Sequence, residues 1–307
     1  MRRHASALTS TPLLLSPWPA SLRLRCLPAR QLQTRSLSVL EHRHLTGDGP
    51  GGLVSYDDAQ SVQEEHRAHM LAWKALPEAQ RRDSPSPRPL LISFECTPTF
   101  TLGRRQDDLT PAQAAHLQQP LAVRLRSGSD ERLVPVVRKT NRGGLTTYHG
   151  PGQLVLWPVV DMHSPLYARY GVASYAGHLE ATTQRLLATR FGVGASTVRD
   201  EPGVWVDAAG DRPRKIAALG VHHRRYVTAL GLALNVDLPV EGSEETNPWA
   251  RFVPCGLEGK AVTSVAAEAG GRLDARWAAG ELAAEWAQLF EQGMLDETKR
   301  TVDGLRR

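Results

Sequence analysis

Steps of three and four link Val62, His66, His69 or Met70, and Trp73 within "SYDDAQSVQEEHRAHMLAWKAL" (55–76). That spacing predicts an amphipathic helix with Ser55 as its cap. "PEAQRRDSPSPRP" (77–89) has no period and four prolines, so it reads as a surface loop or insertion. "LLISFE" and "PTFTLG" (90–103) read as strands around a turn at Pro98, and "SGSDER" (127–132) as a polar break before a strand "LVPVV" (133–137). "RGGLTTYHGPGQLVLWPVVD" (142–161) opens as a glycine-rich loop and closes as an apolar, β-branched strand. In "SYAGHLEATTQRLLATRFGV" (174–193), Ala176, Leu179, Thr183, Leu186, Leu187 and Arg190 alternate an apolar and a polar helical face. Residues 203–223 form a hairpin around a Gly/Asp/Pro turn, and "YVTALGLALNVD" (226–237) a third strand. A last helix, about Ala275 to Gly293, carries Leu282, Trp286 and Leu289, and the final dozen residues are charged and frayed.

Strands that arrive in hairpins, with helices before, between and after, predict an α+β fold: a mixed, mostly antiparallel sheet flanked by helices. There is no internal repeat. One catalytic-sized domain spans 41–295, with an insertion near 77–89 and a charged tail at 296–307.

Charge changes the picture only at the N-terminus. The net charge is +5, yet residues 1–40 hold six arginines (Arg2, Arg3, Arg23, Arg25, Arg30, Arg35) and no Asp or Glu. Without them the balance is −1, so nucleic acid is not an expected partner. A leader rich in Arg, Ser, Thr and Leu and free of acids has the composition of a mitochondrial transit peptide. No apolar run approaches the ~20 residues of a membrane span. Cys26 falls in the leader, which leaves Cys96 and Cys255 as free thiols with neither a disulfide framework nor zinc spacing.

Cys255 lies in "VPCGLEGK", where Pro254 restrains the approach and Gly256 permits a sharp turn. It reads either as a small buried hydrophobe or as a nucleophile presented by a bend. A nucleophilic thiol needs help to ionise. His149 and Lys215 are the candidates, Lys215 because it opens the apolar strand "KIAALGV". A lysine there either snorkels to solvent or turns inward to stabilise a thiolate or act as a base. "RGGLTTYHGPGQ" is neither a Walker loop nor a dinucleotide fingerprint, since no G-K-[ST] follows and a strand, not a helix, comes next. Arg142 is placed to hold an acidic group, and Tyr148 and His149 to offer donors at a pocket mouth. "GLALN" (231–235) suits the lining of a narrow apolar slot. Cys96, in a strand-like apolar stretch, reads as core.

In order along the chain, "TPTFTLGRR", "RGGLTTYHGPGQL", "RKIAALGV", "GLALNVD" and "VPCGLEGKAVTSV" resemble the lipoyl(octanoyl) transferases, over roughly residues 52–270. The resemblance implies the fold of biotin and lipoate protein ligases, and transfer of octanoyl from octanoyl-acyl carrier protein to a lysine of lipoyl domains. The implied acceptors are the lipoyl domains of 2-oxoacid dehydrogenase complexes and the glycine cleavage H protein, in the mitochondrial matrix. It further implies Cys255 as the acyl-thioester nucleophile and Lys215 as the residue that lowers its pKa or moves its proton. The substrate would lie along Arg142, Gly143, Gly144, Leu145, Thr146, Thr147, Tyr148 and His149, with Ala218, Leu219 and Gly220 and with Gly231, Leu232 and Ala233. A thioester donor is already activated, so neither ATP, metal nor other cofactor is expected. Two readings compete: an ATP-dependent lipoate or biotin ligase on the same fold, and a non-catalytic module that binds acyl-carrier or lipoyl domains.

Overall fold

Ser55 starts the first long helix by accepting the Asp58 amide on its hydroxyl at 3.1 Å, which satisfies one of the open donors of the first turn. The computed structural model describes residues 38–207, 213–252, 261–270, 273 and 277–305, with side chains as far as 296. Within them the chain forms β1 (Glu41–His44), α1 (Tyr56–Ala75), α2 (Glu78–Arg82), β2 (Leu90–Phe94), β3 (Thr99–Leu102), α3 (Pro111–Leu117), β4 (Leu121–Arg124), β5 (Asp130–Leu133) and β6 (Val136–Lys139). It continues with β7 (Thr146–His149), β8 (Gln153–Val159), α4 (Val172–Phe191), β9 (Ser196–Val198), β10 (Glu201–Val206), β11 (Arg214–Arg224), β12 (Val227–Asn235), α5 (Val265–Glu268) and α6 (Ala279–Leu305). No helix among the described residues is long and apolar enough to cross a membrane.

The large sheet has the order β1-β2-β8-β12-β11-β10-β9. β1 runs parallel to β2, and the other neighbours run antiparallel. A small sheet of order β6-β3-β7 and a β4–β5 ribbon accompany it. The fold is α+β with mixed, mostly antiparallel sheets, as the hairpin rhythm predicts.

Alternation along each strand sends successive side chains to opposite faces. On one face Leu154, Leu156, Ile216, Leu232 and Leu234 pack with Leu179 and Leu186 of α4 and Trp286 and Phe290 of α6. On the other face Ile92, Phe94, Val155, Trp157 and Ala233 pack with Tyr56, Ala59 and Met70 of α1. A third cluster, with Phe100, Leu121, Tyr148 and Trp249, joins the small sheet to the β4–β5 ribbon.

Several elements depart from the pattern-based expectation. The face α1 buries is Tyr56, Ala59, Gln63, Arg67 and Met70; Val62, His66 and Trp73 flank it and His69 is exposed. Two polar residues in the buried stripe displaced the expected one. Residues 78–82 form a helical turn and a half where only a loop is expected. "LVPVV" is two strands, because Pro135 has no N–H for the ladder and ends β5 before β6 begins. β5 also takes in Asp130–Arg132 from the polar break. The last helix runs on to Leu305. Cys96 is fully buried, and burial pushes its thiol up to about 12, as suits a core residue.

Candidate active site

Directly opposed residues of an antiparallel pair project to the same face. The register pairs Ala218 with Ala233 and Gly220 with Gly231, so four of the smallest side chains form one strip of the α1 face. Each glycine has a local reason. A Cβ on Gly231 would lie 2.3 Å from the Leu156 carbonyl oxygen, where β12 presses on β8. A Cβ on Gly220 would lie 2.9 Å from Cδ of Arg142, which rests on it. The strip is the floor of a narrow cleft. Thr147, His149 and Arg142 cover it, with Tyr56, Trp157 and Leu230 at its sides and end. Its room is about 30 Å³, enough for a water molecule or two.

Arg142 is buried and committed. Nε reaches the Thr101 hydroxyl at 3.2 Å, Nη2 the Thr101 carbonyl at 2.5 Å, and Nη1 the Gly143 carbonyl at 3.0 Å. Its donors tie the glycine loop to β3, and its aliphatic stem rests on Gly220 over the cleft. Gly144, at φ +86°, closes the loop by accepting the Arg105 amide at 3.3 Å. His149 stacks on Tyr56 at 5.9 Å and shares Nδ1 with Gln153 Oε1 at 2.9 Å. Gln153 spends its amide hydrogens on the Tyr148 carbonyl and Asn235 Oδ1, so its oxygen accepts and His149 carries its proton on Nδ1. Burial lowers the imidazole to about 4, and the nearby Arg142 charge adds to that. His149 is neutral at pH 7, with Nε2 as its acceptor.

Of the residues expected at the site, the cleft brings together Arg142, Thr147, His149, Ala218, Leu219, Gly220, Gly231, Leu232 and Ala233. Gly143, Gly144, Leu145, Thr146 and Tyr148 do not line it. Alternation along β7 explains two of these: Thr147 and His149 face the cleft, so Thr146 and Tyr148 face away. Tyr148 is buried against Phe100 at 5.2 Å and Trp249 at 5.9 Å, and it lines a separate cavity with Leu121, Leu238 and Pro248. Tyr56, Trp157 and Leu230 were not foreseen. Nothing in the sequence distinguishes them from core residues.

Lys215 reaches the same face through a fault in the sheet. β10 pairs Val204 with Ala217 and Trp205 with Lys215, so Ile216 is an extra residue in β11. Ile216 and Ala217 both pack against the α4–α6 side, which puts Lys215 on the face of Ala218 instead of the opposite one. Its chain lies across Gly203, where a Cβ would stand 3.4 Å from Cε. Nζ donates to the Pro202 carbonyl at 3.1 Å and sits 4.5 Å from the Trp205 ring centre. At 8% exposure the ammonium has turned inward.

Cys255 lies outside the described residues. The chain next described after it, Ala261–Thr263, is bound to Lys215 itself: the Lys215 amide donates to Ala261 at 2.9 Å and the Thr263 amide to the Lys215 carbonyl at 2.9 Å. Asn235 Nδ2 donates to the Thr263 carbonyl at 2.9 Å and its Oδ1 accepts from Gln153 at 2.9 Å. One buried chain of hydrogen bonds thus runs from His149 through Gln153, Asn235 and Thr263 to the backbone of Lys215. Its members come from four of the sequence motifs.

The model of the lipoyl protein ligase A/B catalytic domain matches residues 73–287. The chain belongs to this family. Its octanoyltransferase branch is the relevant one: the mitochondrial octanoyl-acyl-carrier-protein:protein N-octanoyltransferase of Danio rerio is 36% identical over 71% of this chain and 80% of its own. The octanoyltransferase of Geotalea uraniireducens is 33% identical over 80% of this chain and 91% of its own. A solved lipoate-protein ligase A bound with ATP is 14% identical, covering 82% of this chain and 85% of that one, at a TM-score of 0.47. As a member of the octanoyltransferases, the chain is an acyltransferase.

Proposed function

We propose that this octanoyltransferase moves octanoyl from octanoyl-acyl carrier protein to a lysine of lipoyl domains, through a thioester on Cys255. The reading rests on one observation above the others. The β11 bulge turns Lys215 onto the face of the small-residue cleft, while the segment Ala261–Thr263, six residues after Cys255, is hydrogen-bonded to the Lys215 backbone.

The Lys215 ammonium offsets the charge of the Cys255 thiolate, which attacks the donor carbonyl; the acyl–sulfur bond to the carrier breaks, and the departing carrier sulfur takes a proton from Lys215. The acceptor lysine amine then attacks the enzyme thioester, forming an amide and returning the Cys255 thiolate. Lys215, neutral after the first step, takes the proton the amine sheds and is an ammonium again. The alkyl chain lies on Ala218, Gly220, Gly231 and Ala233, where each buried methylene contributes ~0.8 kcal/mol. His149, neutral and donating to Gln153, holds the loop over the chain and is not needed as the base. Acceptors of this class are the lipoyl domains of 2-oxoacid dehydrogenase complexes and the glycine cleavage H protein. The acid-free leader supports delivery to the mitochondrial matrix.

Intact-mass analysis after mixing with octanoyl-acyl carrier protein, without ATP, tests the proposal. The expected result is one octanoyl adduct that maps to Cys255 and disappears when a lipoyl domain is added. A Cys255→Ser protein that transfers at the wild-type rate would rule out the covalent route. Strict dependence on ATP would return the chain to the ligase reading.

A further inference from the structure

Parity assigns the side chains of β12 to the two faces of the large sheet. Val227, Ala229 and Ala233 pack on the α1 side, and Leu232 and Leu234 on the α4–α6 side. Leu230 belongs by parity with Leu232 and Leu234. It packs instead with Tyr56, Ala59, Phe94 and Trp157, on the face of the cleft.

The backbone is the cause. Leu230 has φ +60°, the left-handed region, inside a strand. For a residue with a Cβ this costs roughly 1–2 kcal/mol. The ladder to β8 yields at the same place. Registered pairing ends at Leu232 opposite Leu156, and the backbones rejoin where the Thr228 amide donates to Val160 at 2.9 Å. Pro158, which has no amide hydrogen, lies across this gap; a Cβ on Gly231 would stand 2.8 Å from its Cδ. Irregularities of this kind re-aim one side chain and recur beside functional sites. A glycine at 230 would relieve the backbone at no steric cost. Leucine keeps the strain and puts a branched four-carbon side chain at the end of the cleft.

The length of floor is informative. From the Ala218–Ala233 pair to the Val221–Leu230 pair is three residues, or ~10 Å along a strand. A zigzag alkyl chain with C–C bonds of ~1.5 Å advances ~1.3 Å per carbon, so about eight carbons match that distance in length, and the room of about 30 Å³ between floor and cover must widen as the chain enters. Beyond it stand Leu230, Tyr56 and Trp157.

We propose that Leu230 sets the acyl-chain length this enzyme accepts, by closing the far end of the cleft. The inference rests on the reading of the cleft as the acyl site. Leu230→Ala lengthens the floor, and Leu230→Gly lengthens it while removing the left-handed cost. Leu230→Phe shortens it.

The test compares kcat/KM for hexanoyl, octanoyl, decanoyl and dodecanoyl carrier-protein donors, alongside displacement of a fluorescent fatty acid by the free acids of the same lengths. In Leu230→Ala and Leu230→Gly the decanoyl-to-octanoyl ratio rises by roughly 10-fold or more, since one methylene in an apolar pocket is worth about 10–200-fold. In Leu230→Phe the preference moves toward hexanoyl. Leu234→Ala removes the same side chain from the opposite face and leaves the ratios as in wild type. Unchanged ratios in folded Leu230→Ala, or an equal shift in Leu234→Ala, overturn the proposal while octanoyl transfer stands. A wild type that transfers nothing, but whose preference in displacement lengthens with Leu230→Ala, sinks the assigned reaction and leaves the length selection intact.

Discussion

The two faces of the large sheet are built from the same strands and differ by one residue of phase. Toward α4 and α6 the strands offer Leu154, Leu156, Ile216, Leu232 and Leu234, large and fully packed. Toward α1 the central pair offers Ala218, Gly220, Gly231 and Ala233. The first face stabilises the fold by burial. The second gives up that burial and leaves a cleft. Two irregularities carry side chains onto the second face against parity: the extra residue Ile216 delivers Lys215, and the left-handed Leu230 delivers its own side chain. In this protein chemistry enters where the alternation of the strand fails.

The comparison is broken most directly at Lys215. Lys215→Ala should lower transfer by about 10²–10⁴-fold while stability changes little, as measured by single-turnover kinetics and thermal melts. A small rate loss with a large drop in Tm would make Lys215 a packing residue like those of the other face.

A matched pair of truncations sharpens the contrast next. Leu156→Ala, on the packed face, should cost about 2–5 kcal/mol in denaturant unfolding. Ala233→Gly, on the cleft floor, should cost only about 0.5–1 kcal/mol, the backbone penalty of glycine. Equal costs would mean that the floor is part of the core.

Acid probes both faces at once. His149 on the cleft side and His178 on the packed side are both held near 4 by burial. Their folded pKa values lie below the unfolded 6.5, so the unfolded chain binds more protons between those limits. The stability they contribute is complete above pH 6.5 and is lost as pH falls to about 4, on the order of 3 kcal/mol for His149. His149→Gln and His178→Phe should each flatten that slope in unfolding curves taken from pH 7 to 4. No change in His149→Gln would deny its burial beneath the loop.

A small gain in stability is expected at Gln63. Its side chain is fully buried on α1, and neither amide atom has a hydrogen-bond partner among the described residues. Gln63→Leu should raise stability by about 1 kcal/mol, because an apolar replacement ends an unpaired burial. A lower Tm would point to a polar partner that the cleft side supplies.

Much of this is legible in the sequence. Helix α4 and the hairpin of β10 and β11 follow from period and turn residues. The glycine loop, the "KIAALGV" strand and "GLALN" announced a site by their residue types. Other features were hidden for stated reasons. The buried face of α1 is hidden in the sequence because Gln63 and Arg67, polar residues, occupy it. Tyr148 reads like a partner of His149 in the motif, and only the alternation of β7 turns it away from the cleft. The committed geometry of Arg142 could not be seen, since Thr101 lies 41 residues earlier in the chain.

The sequence by itself determined the family, the α+β pattern and the set of small residues that leaves a cleft between large ones. Those are local and compositional properties, and each residue carries them alone. The tertiary structure decided which of two faces Lys215 and Leu230 point to, and that His149, Gln153, Asn235 and Thr263 share one chain of hydrogen bonds. Both depend on register between strands distant in sequence, where a shift of one residue reverses every side chain.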